Sequence, residues 1–237
     1  MSEIRLDKFI SSQTLFSRSD CRKLITKGRV TVDGVVVRSF SEKIDDEANC
    51  VAVDGTEIVY NKFVYFIINK PKGVLSASED KKRKTVVDLL PEEFSSRDIF
   101  PVGRLDKDTT GLLILTDDGQ TAHRIIGPKF KIEKAYIVEL DGIVEQKLIN
   151  CFEQGVVLKD GYRCEKARLE ILNENTARVI ITEGKYHQIK RMFGVFGLGV
   201  NNLKRERIGN LYLPENLMEG EFLPITYEAL KQKIGFN

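Results

Sequence analysis

Two short apolar runs, residues 63–68 and 111–115, constrain the fold more than any other feature of the chain. A bilayer span takes about 20 apolar residues, so neither run crosses a membrane. Near-continuous apolar segments of this length suit strands buried on both faces. Residues 64–68 and 112–115 are therefore expected as near-continuous apolar strands. Residues 136–140 alternate between apolar and polar, and 177–182 do so more loosely, as half-buried strands would. Helices are expected over 86–90, 119–126, 145–154 and 187–196. Strands and helices mixed without a regular strand–helix–strand period imply an α+β fold with a largely antiparallel sheet.

The first 60 residues carry a pattern of their own. Leu6, Phe9 and Ile10 fall on one face of a short helix. Ser17 or Ser19 can cap a second helix that turns Cys21, Leu24 and Ile25 inward and stops at Gly28. Arg18, Arg22, Lys23, Lys27 and Arg29 are then left largely outward. Residues 30–37 alternate about Asp33-Gly34, a strong hairpin signal, and Asp54-Gly55 marks a further turn. With Tyr60-Asn61-Lys62 as the boundary, residues 1–60 are expected to form a module of two helices and a small sheet, and 61–237 a larger domain.

Lys and Arg number 37 against 35 Asp and Glu, a net charge of only +2, but the charges are segregated. Residues 5–38, 70–84 and 185–207 carry balances of +5, +4 and +5, so the remainder is strongly acidic. Such clusters suit a nucleic-acid-binding face, the alternative being solvated helix faces that never meet in space. Cys21, Cys50, Cys151 and Cys164 form no CxxC pair and have no histidine at ligand spacing. Neither structural zinc nor a disulfide framework is expected, and a reducing cytoplasm is the expected location. The first eight residues lack the apolar core of a signal peptide.

Chemistry is expected in residues 100–119. Gly103 and Gly111 bracket a polar loop carrying Asp106 and Asp108, and a buried strand follows, so the carboxylates stand on a rigid support. From the residues alone the pair suits general acid–base work, a metal site or turn stabilisation by aspartate.

Two resemblances sharpen this reading. Arg5-Leu6-Asp7-Lys8-Phe9, with the run from Ser17 to Gly34, resembles the S4 RNA-binding domain, whose second helix and following loop present basic side chains to structured RNA. Phosphate contacts supply most of the affinity of such a surface. Gly103-Arg104-Leu105-Asp106 with Thr110-Gly111-Leu112-Leu113 resembles the central motif of pseudouridine synthases, in the branch that modifies ribosomal RNA. Asn69-Lys70-Pro71-Lys72-Gly73-Val74, Lys134-Ala135-Tyr136 and the segment from Glu183 to Met192 match further motifs of that branch in order.

The resemblance implies an isomerase without cofactor or metal that breaks the N1–C1′ bond of uridine and joins C5 to C1′. Asp106 matches the catalytic aspartate, which attacks C1′, adds to the base or takes a proton from C2′. Each role needs it ionised and poorly solvated, hence a nearby cation. Lys190 matches that cation, with Arg191 as the other possibility. Tyr136 matches the tyrosine that stacks on the target base, and Arg104 is the candidate to fill the space the base leaves. Lys185, His187 and Arg191 join the basic residues of the second helix as expected RNA contacts. Tyr186-His187-Gln188 with Arg205-Glu206-Arg207-Ile208-Gly209 follows the RsuA-type group, which acts on small-subunit (16S) ribosomal RNA. Large-subunit (23S) relatives usually carry Asn-Arg in place of Tyr-His. The expected partner is thus small-subunit ribosomal RNA, bare or as partly assembled ribonucleoprotein, bound by a monomer with no membrane involved.

Simpler readings stand beside these. Tyr136 suits the core of its strand, His187 a structural role, and Lys81-Lys82-Arg83-Lys84 a solvated or RNA-facing loop. The rival functions are a non-catalytic ribosomal RNA-binding assembly factor and a glycosidase or nucleosidase built on Asp106 and Asp108. The basic clusters disfavour the latter.

Overall fold

The computed structural model describes residues 3–236 except Leu15 and Glu47; Met1 and Ser2, at the head of the segment without an apolar leader core, lie outside it. The chain divides into two compact units, Met1–Phe63 with Leu90–Ile99, and Val64–Leu89 with Phe100–Asn237.

The smaller unit runs β1 (Glu3–Arg5), α1 (Leu6–Gln13), α2 (Arg18–Thr26), β2 (Val30–Val32), β3 (Val35–Val36), β4 (Lys43–Asp45), β5 (Val51–Val53) and β6 (Thr56–Glu57). Ser17 rather than Ser19 caps α2, its hydroxyl accepting from the Asp20 amide at 3.2 Å. Leu6, Phe9 and Ile10 meet Cys21, Leu24 and Ile25 in one core. The hairpins β2–β3 and β5–β6 turn at Asp33-Gly34 and Asp54-Gly55, where all four residues have positive φ. That backbone matches the twist of the flanking strands. Residues 90–99 belong to this unit although they lie within the larger one in sequence, and Arg97 Nε donates to the Ser12 carbonyl at 3.1 Å.

Asp7 organises the basic side of this unit. It is fully buried, and its carboxylate accepts from the Nε atoms of Arg5 (3.1 Å), Arg18 (3.4 Å) and Arg22 (2.9 Å). Arg5 and Arg22 also lie over the Phe40 ring, 5.8 and 5.1 Å from its centre. Burial opposes ionisation, but the guanidinium hydrogen bonds outweigh it and hold the carboxyl at about 2 against an ordinary 3.8. A depressed native value stabilises the fold above the unfolded value, and that contribution is lost as pH falls through the native one. Wild type should therefore exceed Asp7→Asn in stability by about 2 kcal/mol at neutral pH. In thermal melts the margin should shrink between pH 3.8 and about 2. A margin unchanged down to the lower value would contradict this account.

The larger unit contains β7 (Tyr65–Lys70), β8 (Phe100–Pro101), β9 (Thr110–Thr116), α3 (Gly119–Ile126), β10 (Lys134–Leu140), α4 (Lys147–Gln154), β11 (Arg168–Asn173), β12 (Thr176–Ile181), α5 (Gln188–Val195), β13 (Val200–Ile208), β14 (Leu211–Tyr212), β15 (Phe222–Pro224) and α6 (Tyr227–Ile234). Its sheet runs β11-β12-β10-β13-β9-β7-β15, with β14 beside β13 and β8 beside β9. As their composition requires, β7 and β9 are buried at every residue and pair antiparallel. Leu112 and Ile114 of β9 share a core with Ile125 of α3 and with Leu230 and Ile234 of α6. Helices α4 and α5 meet through Phe152 and Phe193, whose rings are 5.0 Å apart. Asp118 caps α3, accepting from the amides of Gln120 and Thr121.

The fold is α+β and mostly antiparallel, but it departs from expectation in places. The helix expected over 86–90 is only the 3-10 turn Val87–Leu89, because Leu90 precedes a proline and is pushed away from helical backbone. The strands β11 and β13 and the helix α6 were not anticipated. One junction is unusually tight. Gly111, at φ +100°, lies beside Arg205 where β9 and β13 pair in parallel.

Candidate active site

Asp106 and Asp108 lie in the loop between β8 and β9. Lys70, at the end of β7, shapes that loop from within. Its buried ammonium donates to the carbonyls of Pro71 (3.0 Å), Lys107 (3.3 Å) and Thr109 (2.9 Å). Burial pushes the Lys70 ammonium down to about 8, against the pull of Asp108 and Asp106. The Gly73 amide donates to the Lys107 carbonyl at 2.8 Å. The Ser76 hydroxyl donates to the Leu105 carbonyl at 2.9 Å and accepts from the Leu105 amide at 3.1 Å. Residues 69–76 thus fix the loop on either side of Asp106.

Helix α5 and the turn before it bring the basic groups. Lys190 Nζ donates to both oxygens of Asp108 at 2.7 Å and stands 3.7 Å from Asp106 Oδ2. The Lys190 hydrogen bond holds the Asp108 carboxyl below the usual carboxylate range. His187 occupies left-handed backbone, φ +48°, just before α5 and places Nε2 3.5 Å from Asp106 Oδ1. The Asp106 carboxylate is 27% exposed and accepts no hydrogen bond from the described residues. Its lone pairs stay available, with an ammonium and an imidazole at the edge of bonding range. Arg191 is directed elsewhere, pairing with Asp160 and donating to the Tyr186 carbonyl at 3.4 Å.

Tyr136 is 7% exposed on β10 and accepts at its hydroxyl from Arg205 Nη1 at 3.5 Å. A cavity of about 70 Å³ is lined by Asp106, Thr109, Tyr136, His187, Ile189 and Leu203. The Thr109 hydroxyl in its wall is buried without a hydrogen-bond partner among the described residues. Arg104 and Lys185, both exposed, border the same cavity. The larger unit therefore gathers Asp106, Tyr136, Lys190, Arg104, Lys185 and His187, and leaves Arg191 to Asp160.

In the smaller unit, Arg18, Arg22, Lys23, Lys27 and Arg29 are exposed on α2 and the loop after it. Arg18 and Arg22 bond Asp7 through Nε, Lys23 pairs with Asp20 at 3.0 Å, and Arg29 pairs with Asp54. Sequence reasoning did not single out Lys70 or Ser76 as groups that position the loop. A lysine at the end of a largely apolar strand was the available signal. Among the described residues no three His, Cys, Asp or Glu side chains are placed to hold a metal ion, and no helix is long and apolar enough to cross a membrane.

The RNA pseudouridylate synthase family matches residues 64–194, which include the whole Asp106 loop and Lys190, and the S4 domain family matches residues 4–49. The chain belongs to the RNA pseudouridine synthase family. Over 231 residues it is 40% identical to YtzG of Bacillus subtilis (strain 168), an uncharacterized RNA pseudouridine synthase, covering 96% of this chain and 97% of the relative. Over 228 residues it is 41% identical to ribosomal small subunit pseudouridine synthase A of Vibrio cholerae serotype O1, covering 96% and 98%. A crystal structure of a pseudouridylate synthase matches it with a TM-score of 0.69 and 36% identity, over 98% of this chain and 99% of that one. This pseudouridine synthase is thus an RNA-modifying isomerase with an S4 domain at its N-terminal side, as the motif order implied.

Proposed function

We propose that this synthase converts uridine to pseudouridine at one site in small-subunit (16S) ribosomal RNA, with Asp106 as its catalytic residue. The observation that carries this reading is the unbonded Asp106 carboxylate, set between Lys190 and His187 on the wall of a cavity that Tyr136 also lines. In the reaction N1–C1′ breaks, the base turns and C5–C1′ forms. The C5 proton leaves and N1 gains one, so substrate and product are isomers. Lys190 places its ammonium 3.7 Å from the Asp106 carboxylate, on the side of the loop that helix α5 covers. The Tyr136 ring replaces stacking that the extruded base loses, and Arg104 fills the gap it leaves in the RNA.

The smaller unit captures the RNA through Arg18, Arg22, Lys23, Lys27 and Arg29, whose phosphate contacts make binding salt-sensitive. Lys185, His187 and Arg191 add contacts near the site. The substrate assignment is supported by the name of the Vibrio cholerae relative and by the Tyr186-His187 pair. The enzyme works as a cytoplasmic monomer on bare or partly assembled ribosomal RNA.

Incubation of the purified protein with unmodified small-subunit ribosomal RNA, bare and partly assembled, should yield one new pseudouridine on nucleotide-resolution mapping. A new site in large-subunit RNA instead would keep the chemistry and replace the substrate. No new site in either RNA would favour a binding-only factor, and release of free uracil would favour a nucleosidase.

A further inference from the structure

A second cavity, of about 340 Å³, shares Arg104, Tyr136, Gly184 and Lys185 with the Asp106 cavity, while Asp106 and Lys190 take no part in it. Its size falls near the lower end of small-ligand pockets, about 300–1,000 Å³, and suits one nucleotide unit rather than a helix. Four cations line it, Arg104, Lys134, Lys185 and Arg205, with the carboxylates of Glu165 and Glu183.

The carboxylates are already engaged. Glu183 accepts from the Tyr162 hydroxyl (2.7 Å), Gln188 Nε2 (2.7 Å) and the Glu165 amide (2.8 Å). Glu165 accepts from the Thr182 hydroxyl at 2.9 Å and lies 3.9 Å from Lys131. None of the four cations pairs with a carboxylate among the described residues. Lys134 donates to the Ile132 carbonyl at 3.0 Å, and Lys185 lies 5.3 Å from the centre of the Tyr162 ring. Arg205 is 3% exposed and donates through Nε to the Leu112 carbonyl at 2.7 Å and through Nη1 to the Tyr136 hydroxyl at 3.5 Å, while its Nη2 is buried with no partner among the described residues. An unpaired buried guanidinium nitrogen is costly, and an anion in the cavity would relieve that cost. Burial and the nearby Arg205 push the Lys134 ammonium down to about 8, so its charge lacks support until an anion arrives.

We propose that this cavity binds the phosphodiester group next to the target uridine, with Lys134 and Arg205 as its donors. The unpaired Nη2 of Arg205 can donate to a phosphate oxygen, and the Lys134 ammonium supplies a point charge beside it. The shared wall of Arg104, Tyr136 and Lys185 puts the bound phosphate adjacent to a base held in the Asp106 cavity. The inference rests on reading that cavity as the uridine site.

The test uses full-length protein and RNA hairpins containing the mapped target, each with one neutral methylphosphonate linkage beside the uridine. One such linkage should weaken binding by wild type about tenfold. The same linkage should leave Lys134→Gln, itself about tenfold weaker on unmodified RNA, no weaker still. The salt slope of Lys134→Gln should fall by about one counterion, and Lys134→Arg should retain the phosphate sensitivity. Additive losses at every linkage would overturn the proposal, as would competition by inorganic phosphate without any linkage effect. If Lys134→Gln fails to fold by circular dichroism, the linkage scan on wild type decides: a loss confined to the linkage beside the uridine supports the proposal, and equal losses at every linkage overturn it. Failure of the pseudouridine reading is distinct, since wild type would then convert no hairpin at all.

Discussion

Asp106→Asn should reduce pseudouridine formation by about 10⁴-fold or more while RNA affinity stays within a few-fold of wild type. The substitution keeps the side chain's shape and removes only its charge and its second acceptor oxygen. Because the Asp106 carboxylate accepts no hydrogen bond from the described residues, none is broken. The loop keeps its anchors, since Lys70 bonds the carbonyls of Pro71, Lys107 and Thr109 and Lys190 remains bonded to Asp108. Loss of a negative charge facing anionic RNA should, if anything, help binding. Single-turnover conversion and filter binding on the same RNA separate the two quantities. A binding loss as large as the activity loss would make Asp106 a structural residue.

Gly111→Ala should destabilise the larger unit by about 3 kcal/mol or more. At φ +100° an L side chain is strained, and a Cβ there would meet the carbonyl oxygen and amide nitrogen of Arg205. Those atoms belong to strand backbone and cannot swing aside. The position is also critical for the sheet. Gly111↔Arg205 and Lys204↔Thr110 are the parallel pairs that join β11-β12-β10-β13 to β9-β7-β15. A wedge there separates the strand that carries Tyr136 from the strand that supports Asp106. Gly119→Ala is the control, because that position is helical and its Cβ would meet nothing within 4 Å. It should be neutral or stabilising by about 0.5 kcal/mol. Urea unfolding of both variants measures the contrast, and a Gly111→Ala loss below about 1 kcal/mol would refute the wedge.

What the sequence made legible follows from how each residue is used. The strands β7 and β9 were readable because burial on both faces leaves an apolar run, 65–68 and 112–115, along most of each. Helix α3 was readable because Asp118 caps it and Ile125 faces the core. Strand β13 was hidden, since it reads as polar yet turns Arg205 and Arg207 inward. The same two residues had been counted in a basic face. Arg207 instead bonds Glu133 at 3.0 Å, so its charge is already paired within the protein. The balance of +5 over residues 185–207 therefore overstates the charge that this segment presents to RNA. Helix α6 carried signals that went unread, a Thr226 cap and Gly235 in left-handed backbone at its end. The motif match is what pointed to Tyr136, because alternation alone would place it in the core. Nothing in the motif spacing gave the choice between Lys190 and Arg191, which depends on where Asp160 lies in space.

The three carbonyls that converge on Lys70 describe a coordination shell of the kind that elsewhere surrounds a dissolved cation. Here the cation arrives attached to the chain, at a stoichiometry of one, and cannot be diluted away or taken by a chelator. The order of the Asp106 loop is therefore set when the protein folds. It should be the same in low and high magnesium, conditions between which an RNA partner loosens and tightens.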